Sequence, residues 1–309
     1  MTKVTLTSPG TLPKASTTAI WAAMIAVYIV WGSTYLAIRF AVETLPPFLM
    51  AATRFLIAGG LLFAVRRAAG DPLPTRAEWR GAAVLGLFLL LGGNGGVSWA
   101  EQFVPSGLTA LLVASSPLWM LLLEAILPGG QRPSRRAAAG VVIGFVGIAV
   151  LFWPGEGSLV NIHLGGALAL LFATLAWAFG SIYSRNLRLP ASPMMGTAAE
   201  MLTGGLALLL VAALSGDFAR LDISAISTNS LLAMLYLIVF GALVGFSAYT
   251  WLLRVAPTSL VSTYAYVNPL VALALGVTIG NEALAPRTLL AAAIILGSVA
   301  LITSKRKSG

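Results

Sequence analysis

Cysteine is absent from this chain of 309 residues, histidine occurs once, and only 9% of the residues are charged. The missing cysteine excludes disulfides, thiolate nucleophiles and cysteine metal sites together. One histidine cannot build a multi-histidine site, so neither a bound metal nor any cofactor is expected. Soluble domains carry about 25% charged residues. Here 58% of the residues are hydrophobic before 32 glycines are added, and so few charges cannot wrap that apolar surface in water. A large soluble domain is excluded, and the chain belongs in a bilayer.

What is present fits an all-α membrane protein. A spanning helix takes about 20 apolar residues, and runs of that kind fall at 19–39, 47–65, 80–100, 106–127, 137–153, 164–184, 195–214, 230–253, 258–280 and 287–303. Residues 1–18 read as a disordered polar tail and 305–309 as a basic one. The net charge of +9 would suggest nucleic acid in a soluble protein, but in a membrane protein its placement carries the information. With ten spans, 15 of the 19 Lys and Arg fall on the side of the N-terminus, and Arg39, Arg220 and Arg287 alone fall opposite, with Arg54 inside a span. The positive-inside rule then puts both termini in the cytoplasm. A lost span would scramble that asymmetry.

An internal repeat divides the spans into two halves, 19–155 and 156–304. A shift of 146 superposes Trp31 on Trp177, Arg39 on Arg185, Pro47 on Pro193 and Gly59 on Gly205. A shift of 152 superposes Gly93 on Gly245, Trp99 on Trp251, Pro105 on Pro257 and Pro117 on Pro269. Five spans per half is an odd number, so the halves are inverted in the membrane. That symmetry is the one many secondary transporters use for alternating access.

Ten spans in two such repeats, the Trp-Gly-Ser-Thr-Tyr end of the first span, prolines central to the fourth and ninth spans, and the Gly-Asn-Glu-Ala-Leu before the tenth resemble the EamA branch of the drug/metabolite transporter superfamily. Within it the chain is similar to amino-acid and metabolite exporters, aromatic amino-acid exporters among them. The resemblance implies a central cavity surrounded by helices one to four and six to nine, with helices five and ten peripheral.

The residues that break the apolar pattern are the candidates for solute contact. Pro117 and Pro269 each lack a backbone donor and release the carbonyl four residues earlier, Val113 or Ala265, which makes them candidate hinges. Ser115, Ser116, Tyr266 and Asn268 stand close enough to satisfy those carbonyls or to line a cavity. Around the second proline, Ser259, Ser262, Thr263, Tyr264, Tyr266 and Asn268 form a polar and aromatic run whose face belongs inside the bundle, either against solute or in bonds between helices. Asn94 sits among Gly92, Gly93, Gly95 and Gly96, where the glycines suit close helix packing and the amide suits a cavity. Trp31 and Trp177 lie mid-span, away from the interfacial belt. Ser33, beside Trp31, completes the substrate-cavity set of Trp31, Ser33, Asn94, Ser115, Ser116, Trp177, Tyr264, Tyr266 and Asn268.

Arg54 and Glu200 are intramembrane charges at equivalent repeat positions, each seven residues past its paired proline. That is roughly 10 Å from opposite faces at about 1.5 Å per residue. Pairing, snorkelling and binding the poles of a zwitterion all remain open for them. Glu124 is expected at the cytoplasmic interface and His163 in solvent. The first span has no acid of the kind that small multidrug antiporters of the superfamily use, and one interior arginine is too few for a phosphate carrier. Gly245-Phe246-Ser247 begins a serine-hydrolase pattern that Tyr249 and the distant His163 do not complete.

These residues imply a secondary transporter exporting small neutral or zwitterionic metabolites, amino acids with aromatic or hydrophobic side chains above all. Export of other organic solutes and an intramembrane enzyme are the alternatives. The expected partners are a small-molecule substrate and the lipid bilayer, with no nucleic acid, and the chain is compatible with a monomer.

Overall fold

The computed structural model describes residues 15–126, 133–152, 163–256, 258–261 and 263–303, so Ser262, the basic tail at 305–309 and all but the last four residues of the expected N-terminal tail lie outside the described residues. The long helices are α1 (Thr17–Val42), α2 (Pro47–Ala68), α3 (Arg76–Ala100), α4 (Ser106–Ile126), α5 (Arg135–Phe152), α6 (Leu164–Tyr183), α7 (Pro193–Leu214), α8 (Thr228–Tyr236, Leu237–Val244 and Gly245–Val255), α9 (Tyr264–Thr278) and α10 (Pro286–Thr303). Seven helices among the described residues, α1 to α4 and α6 to α8, are long and apolar enough to cross a membrane. No strand occurs among the described residues.

Local chemistry sets the helix starts. Ser16, Thr75, His163, Ser192 and Ser227 each accept a backbone N–H of the turn they precede, satisfying donors with no partner inside the helix. Thr75 and Glu78 form a reciprocal capping box, which starts α3 at Arg76, four residues before the expected boundary. Pro47 and Pro193 occupy first-turn positions, where a missing N–H costs nothing.

We call the end of the bundle where α1 finishes the distal face and the opposite end the proximal face. Distal contacts connect the chain ends of many helices: Ser230 Oγ donates to Phe40 O, Phe48 and Leu49 N–H donate to Asp217, Ser106 and Gly107 N–H donate to Glu282, and Arg287 Nε donates to Val150 O. Helix packing follows one scheme. α2 lies along α7, and α5 lies along α10. α1 packs on α8 and α9, while α6 packs on α3 and α4. Exchanging the first five helices with the last five maps these pairings onto one another.

Glycines permit the closest approaches. A Cβ on Gly92 would stand 2.8 Å from Ala176 Cβ, on Gly96 2.9 Å from Ala173 Cβ, and on Gly144 2.4 Å from Leu118 Cδ1. The run in α3 is therefore a packing surface against α6.

Four spans depart from regular α geometry. Gly86–Gly95 in α3 and Leu237–Val244 in α8 are wider, π-helical stretches, and they fall at corresponding places in the two halves. The expected ninth span is broken: Thr258–Val261 forms a separate turn before α9 begins at Tyr264. α4 breaks between Val113 and Ser116, so Pro117 stands at the start of its second segment. The carbonyl released there is not left bare, since Ser116 Oγ donates to Val113 O at 2.6 Å. Pro269 lies inside α9.

Candidate functional site

One cavity of about 390 Å³ lies within the bundle, bounded by both halves of the chain. That volume is in the range of about 300–1,000 Å³ usual for small-molecule sites. Trp31, Thr34, Tyr35 and Ile38 line it from α1, Arg54 from α2, and Gly93, Asn94 and Val97 from α3. α4 contributes Ser116, Pro117 and Met120, and α6 contributes Ala173, Thr174 and Trp177. Gly241, Phe246 and Tyr249 of α8 and Tyr264, Ala265, Asn268 and Pro269 of α9 complete the wall.

An aromatic cluster forms one side. The Trp31 ring centroid is 5.3 Å from Phe246, 5.0 Å from Tyr249 and 5.3 Å from Tyr264. Edge contacts of this kind each contribute about 0.5–1.5 kcal/mol beyond area burial. Trp31 Nε1 donates to Gly241 O at 3.3 Å, fixing the indole against the π-helical part of α8. Gly245 has no side chain to spare here, because a Cβ would meet Trp31 Nε1 at 2.4 Å.

The opposite side is polar. Arg54 is 4% exposed, donates from Nη2 to Asn94 Oδ1 at 2.9 Å, and has its guanidinium carbon 4.1 Å from the Phe55 ring centroid. Asn94 Nδ2 donates to Leu89 O at 3.2 Å, a carbonyl of the π-helical turn. The wide turn thus orients the Asn94 amide so that its oxygen faces the guanidinium. Arg54 Nε and, from α9, Asn268 Oδ1 are buried and have no hydrogen-bond partner among the described residues.

Of the residues singled out from sequence, Trp31, Asn94, Ser116, Trp177, Tyr264, Asn268, Pro117, Pro269 and Arg54 meet at this cavity. Ser33, Ser115, Tyr266 and Glu200 are not among its lining residues. Ser33 Oγ donates to Val30 O and bonds Tyr236 OH at 2.6 Å, between α1 and α8. Ser115 Oγ turns back to Leu112 O within the break of α4. Tyr266, on the face of α9 turned to α10, donates to Val299 O at 3.1 Å. Glu200 makes no ion pair among the described residues and does not meet Arg54. The side chain of Ser259 lies outside the described residues. His163 is exposed, caps α6 and stacks on Phe103 with ring centroids 4.4 Å apart.

Glu282 and Glu101, acids at helix ends, are the residues to which the sequence alone assigns no role. Glu282 Oε1 accepts from Arg39 Nη1 at 2.5 Å and from Ser106 N–H at 2.7 Å, and Oε2 accepts from Gly107 N–H at 3.0 Å. One carboxylate therefore joins the ends of α1, α4 and α9. On the proximal face Glu124, at the end of α4, pairs with Arg185, just past α6, at 2.9 Å. Glu101 is 3% exposed at the end of α3, with Arg39, Arg54 and Glu282 as its charged neighbours, and neither carboxylate oxygen receives a hydrogen bond of ordinary geometry.

A bundle of apolar helices enclosing a solute-sized cavity is the build of a multi-pass membrane transporter. The chain belongs to the EamA-like transporter family of the drug/metabolite transporter superfamily, which matches residues 17–153 and again 164–304. It is 39% identical over 286 residues to the uncharacterized inner membrane transporter YedA of Escherichia coli K12, a match covering 92% of this chain and 90% of YedA. Similarity to the Bacillus subtilis transporter YvbV is 25% over 297 residues, covering 96% of this chain and 94% of YvbV. Protein PagO of Salmonella typhimurium is 27% identical over 252 residues, 81% of each chain. A crystal structure shares the fold with a TM-score of 0.60 at 22% identity, covering 93% of this chain and 96% of that one. YedA and YvbV are named as transporters, and the chain is a transporter rather than an enzyme.

Proposed function

We propose that the chain exports small zwitterionic metabolites, amino acids with aromatic or hydrophobic side chains, across the cytoplasmic membrane by alternating access. In this reading all ten helices span the bilayer as two inverted repeats, 19–155 and 156–304, with both termini in the cytoplasm. The distal face is then the outer one.

The observation that carries the reading is the cavity itself. Its wall alternates between the halves, so a rotation of one half against the other changes the face from which it is reached. Trp31, Tyr249, Tyr264 and Trp177 offer apolar and aromatic contact, while Asn94, Ser116 and Asn268 offer hydrogen bonds. That mixture suits a solute with a polar end and an apolar body. The break of α4 at Pro117 and the helix-internal Pro269 of α9 border the cavity and serve as the hinges.

Purified protein in liposomes, assayed for counterflow of labelled phenylalanine, tryptophan, leucine and other amino acids, tests the assignment. Saturable exchange of at least one of them is expected. Exchange of none, in vesicles whose protein is folded and correctly inserted, removes amino acids as the substrate.

A further inference from the structure

Arg54 is a buried cation that closes no ion pair among the described residues. It is one of the lining residues of the cavity. Its recorded polar contact is the neutral Asn94 Oδ1, and its Nε is buried without a partner. Glu101 is the acid that acts on it. That carboxylate does not close a pair with Arg54 and is shared with Arg39, which is itself held by Glu282.

Burying a guanidinium without a bound counter-ion costs several kcal/mol. Such an arrangement persists where a ligand supplies the missing charge, and an intramembrane ionisable residue facing a cavity marks a ligand path by default. The planar fork of arginine matches a carboxylate with two parallel donors. A phosphate dianion fits less well, because no second cation lines this cavity.

The same cavity holds the converse group from the other half of the chain. Asn268 Oδ1, on α9, is a buried acceptor that receives no donor among the described residues. An orphan donor in one half and an orphan acceptor in the other are complementary to the two poles of one solute.

Resting on the reading of this cavity as the solute path, we propose that Arg54 is its anion anchor, taking the carboxylate of the transported molecule, while Asn268 Oδ1 accepts from its ammonium. Asn94 holds the guanidinium in place from the π-helical turn. The solute is thereby selected for its carboxylate, and an amine of the same shape is refused.

Competition against counterflow in proteoliposomes decides the matter, with four probes of one ring: L-phenylalanine, 3-phenylpropionate without the ammonium, 2-phenylethylamine without the carboxylate, and phenylalaninamide with the carboxylate neutralised. Where phenylalanine itself is not exchanged, the same probes are read by thermal shift of the purified protein in detergent. The two carboxylates are expected to bind at least tenfold more tightly than the amine and the amide. Arg54→Gln is expected to abolish that discrimination, with Arg54→Lys restoring part of it. Amino-acid exchange with equal inhibition by the amine overturns the anchor and leaves the amino-acid reading standing. Arg54-dependent binding of phenylpropionate without amino-acid exchange does the reverse. Because the comparison among probes uses the unaltered protein, a variant that fails to fold does not rescue the proposal, and binding of none of the four overturns it.

Discussion

Arg39 closes a 2.5 Å ion pair with Glu282 on the distal face, and its repeat mate Arg185 closes one of 2.9 Å with Glu124 on the proximal face. Each arginine ends the first helix of its half, and each glutamate belongs to the other half. The two clamps are not equal. Glu282 is 6% exposed at its side chain and also caps the start of α4, whereas Arg185 and Glu124 are 73% and 39% exposed. A solvent-exposed pair contributes about 1 kcal/mol at most, while hydrogen bonds to a buried charged group contribute about 1.5–3 kcal/mol. The described conformation is therefore fastened at the distal face and held loosely at the proximal one.

Glu282→Gln removes the charge while keeping the length of the side chain. It is expected to lower the melting temperature in detergent by several degrees and to raise the labelling, by impermeant reagents from the outside, of a single cysteine introduced into the cavity wall. Asp217→Asn is the contrast. Asp217 is fully buried and accepts the N–H groups of Phe48 and Leu49 at 2.9 and 3.1 Å, so its loss also destabilises by about 1.5–3 kcal/mol, but its ion pair is local, with Arg220 at 2.7 Å, and it takes no part in the Arg39–Glu282 clamp. Labelling from outside is expected to stay as in the parent.

The aromatic cluster predicts a graded effect at Trp31. Trp31→Phe keeps an aromatic face toward Phe246, Tyr249 and Tyr264, whereas Trp31→Ala empties it. Loss of one aromatic contact with the solute, at about 0.5–1.5 kcal/mol, puts the fall in affinity for aromatic solutes at up to about tenfold in Trp31→Ala, with a much smaller change in Trp31→Phe. Counterflow KM values for phenylalanine and leucine measure it, and the leucine value is expected to move less.

Because cysteine is absent, single cysteines report topology without background. Ser224→Cys, in the distal loop after α7, is expected to react with an impermeant maleimide in intact cells. Ala69→Cys, after α2, is expected to react only in permeabilised ones. The opposite pattern reverses the orientation inferred from the basic loops.

Class and most helix positions were legible because a bilayer imposes a length and a composition on any segment that crosses it. The pairing of α2 with α7 and of α5 with α10 follows the repeat that Trp31 and Trp177 mark. Legibility failed where geometry rather than composition decides. Ser33 and Ser115 are polar mid-span residues, yet each hydroxyl bonds a carbonyl three residues back in its own helix. Tyr266 shares α9 with Tyr264 and Asn268, but two residues along a helix is about 200° of rotation, which turns it to α10. Glu101 and Glu282 look like loop acids at span ends. Folding brings Glu282 to the free N–H groups of α4 and buries Glu101 near Arg54, and no local pattern announces either.

Alternating access requires the two halves to move so that the cavity opens to one face at a time. Distances between spin labels test this, with one pair at Glu43→Cys and Ala283→Cys across the distal clamp and one at Ile126→Cys and Asn186→Cys across the proximal clamp. On adding saturating substrate to protein in lipid nanodiscs, the two distances are expected to shift in opposite senses, one shortening as the other lengthens. Distal and proximal distances that both remain unchanged, or that lengthen together, rule out alternating access by this motion.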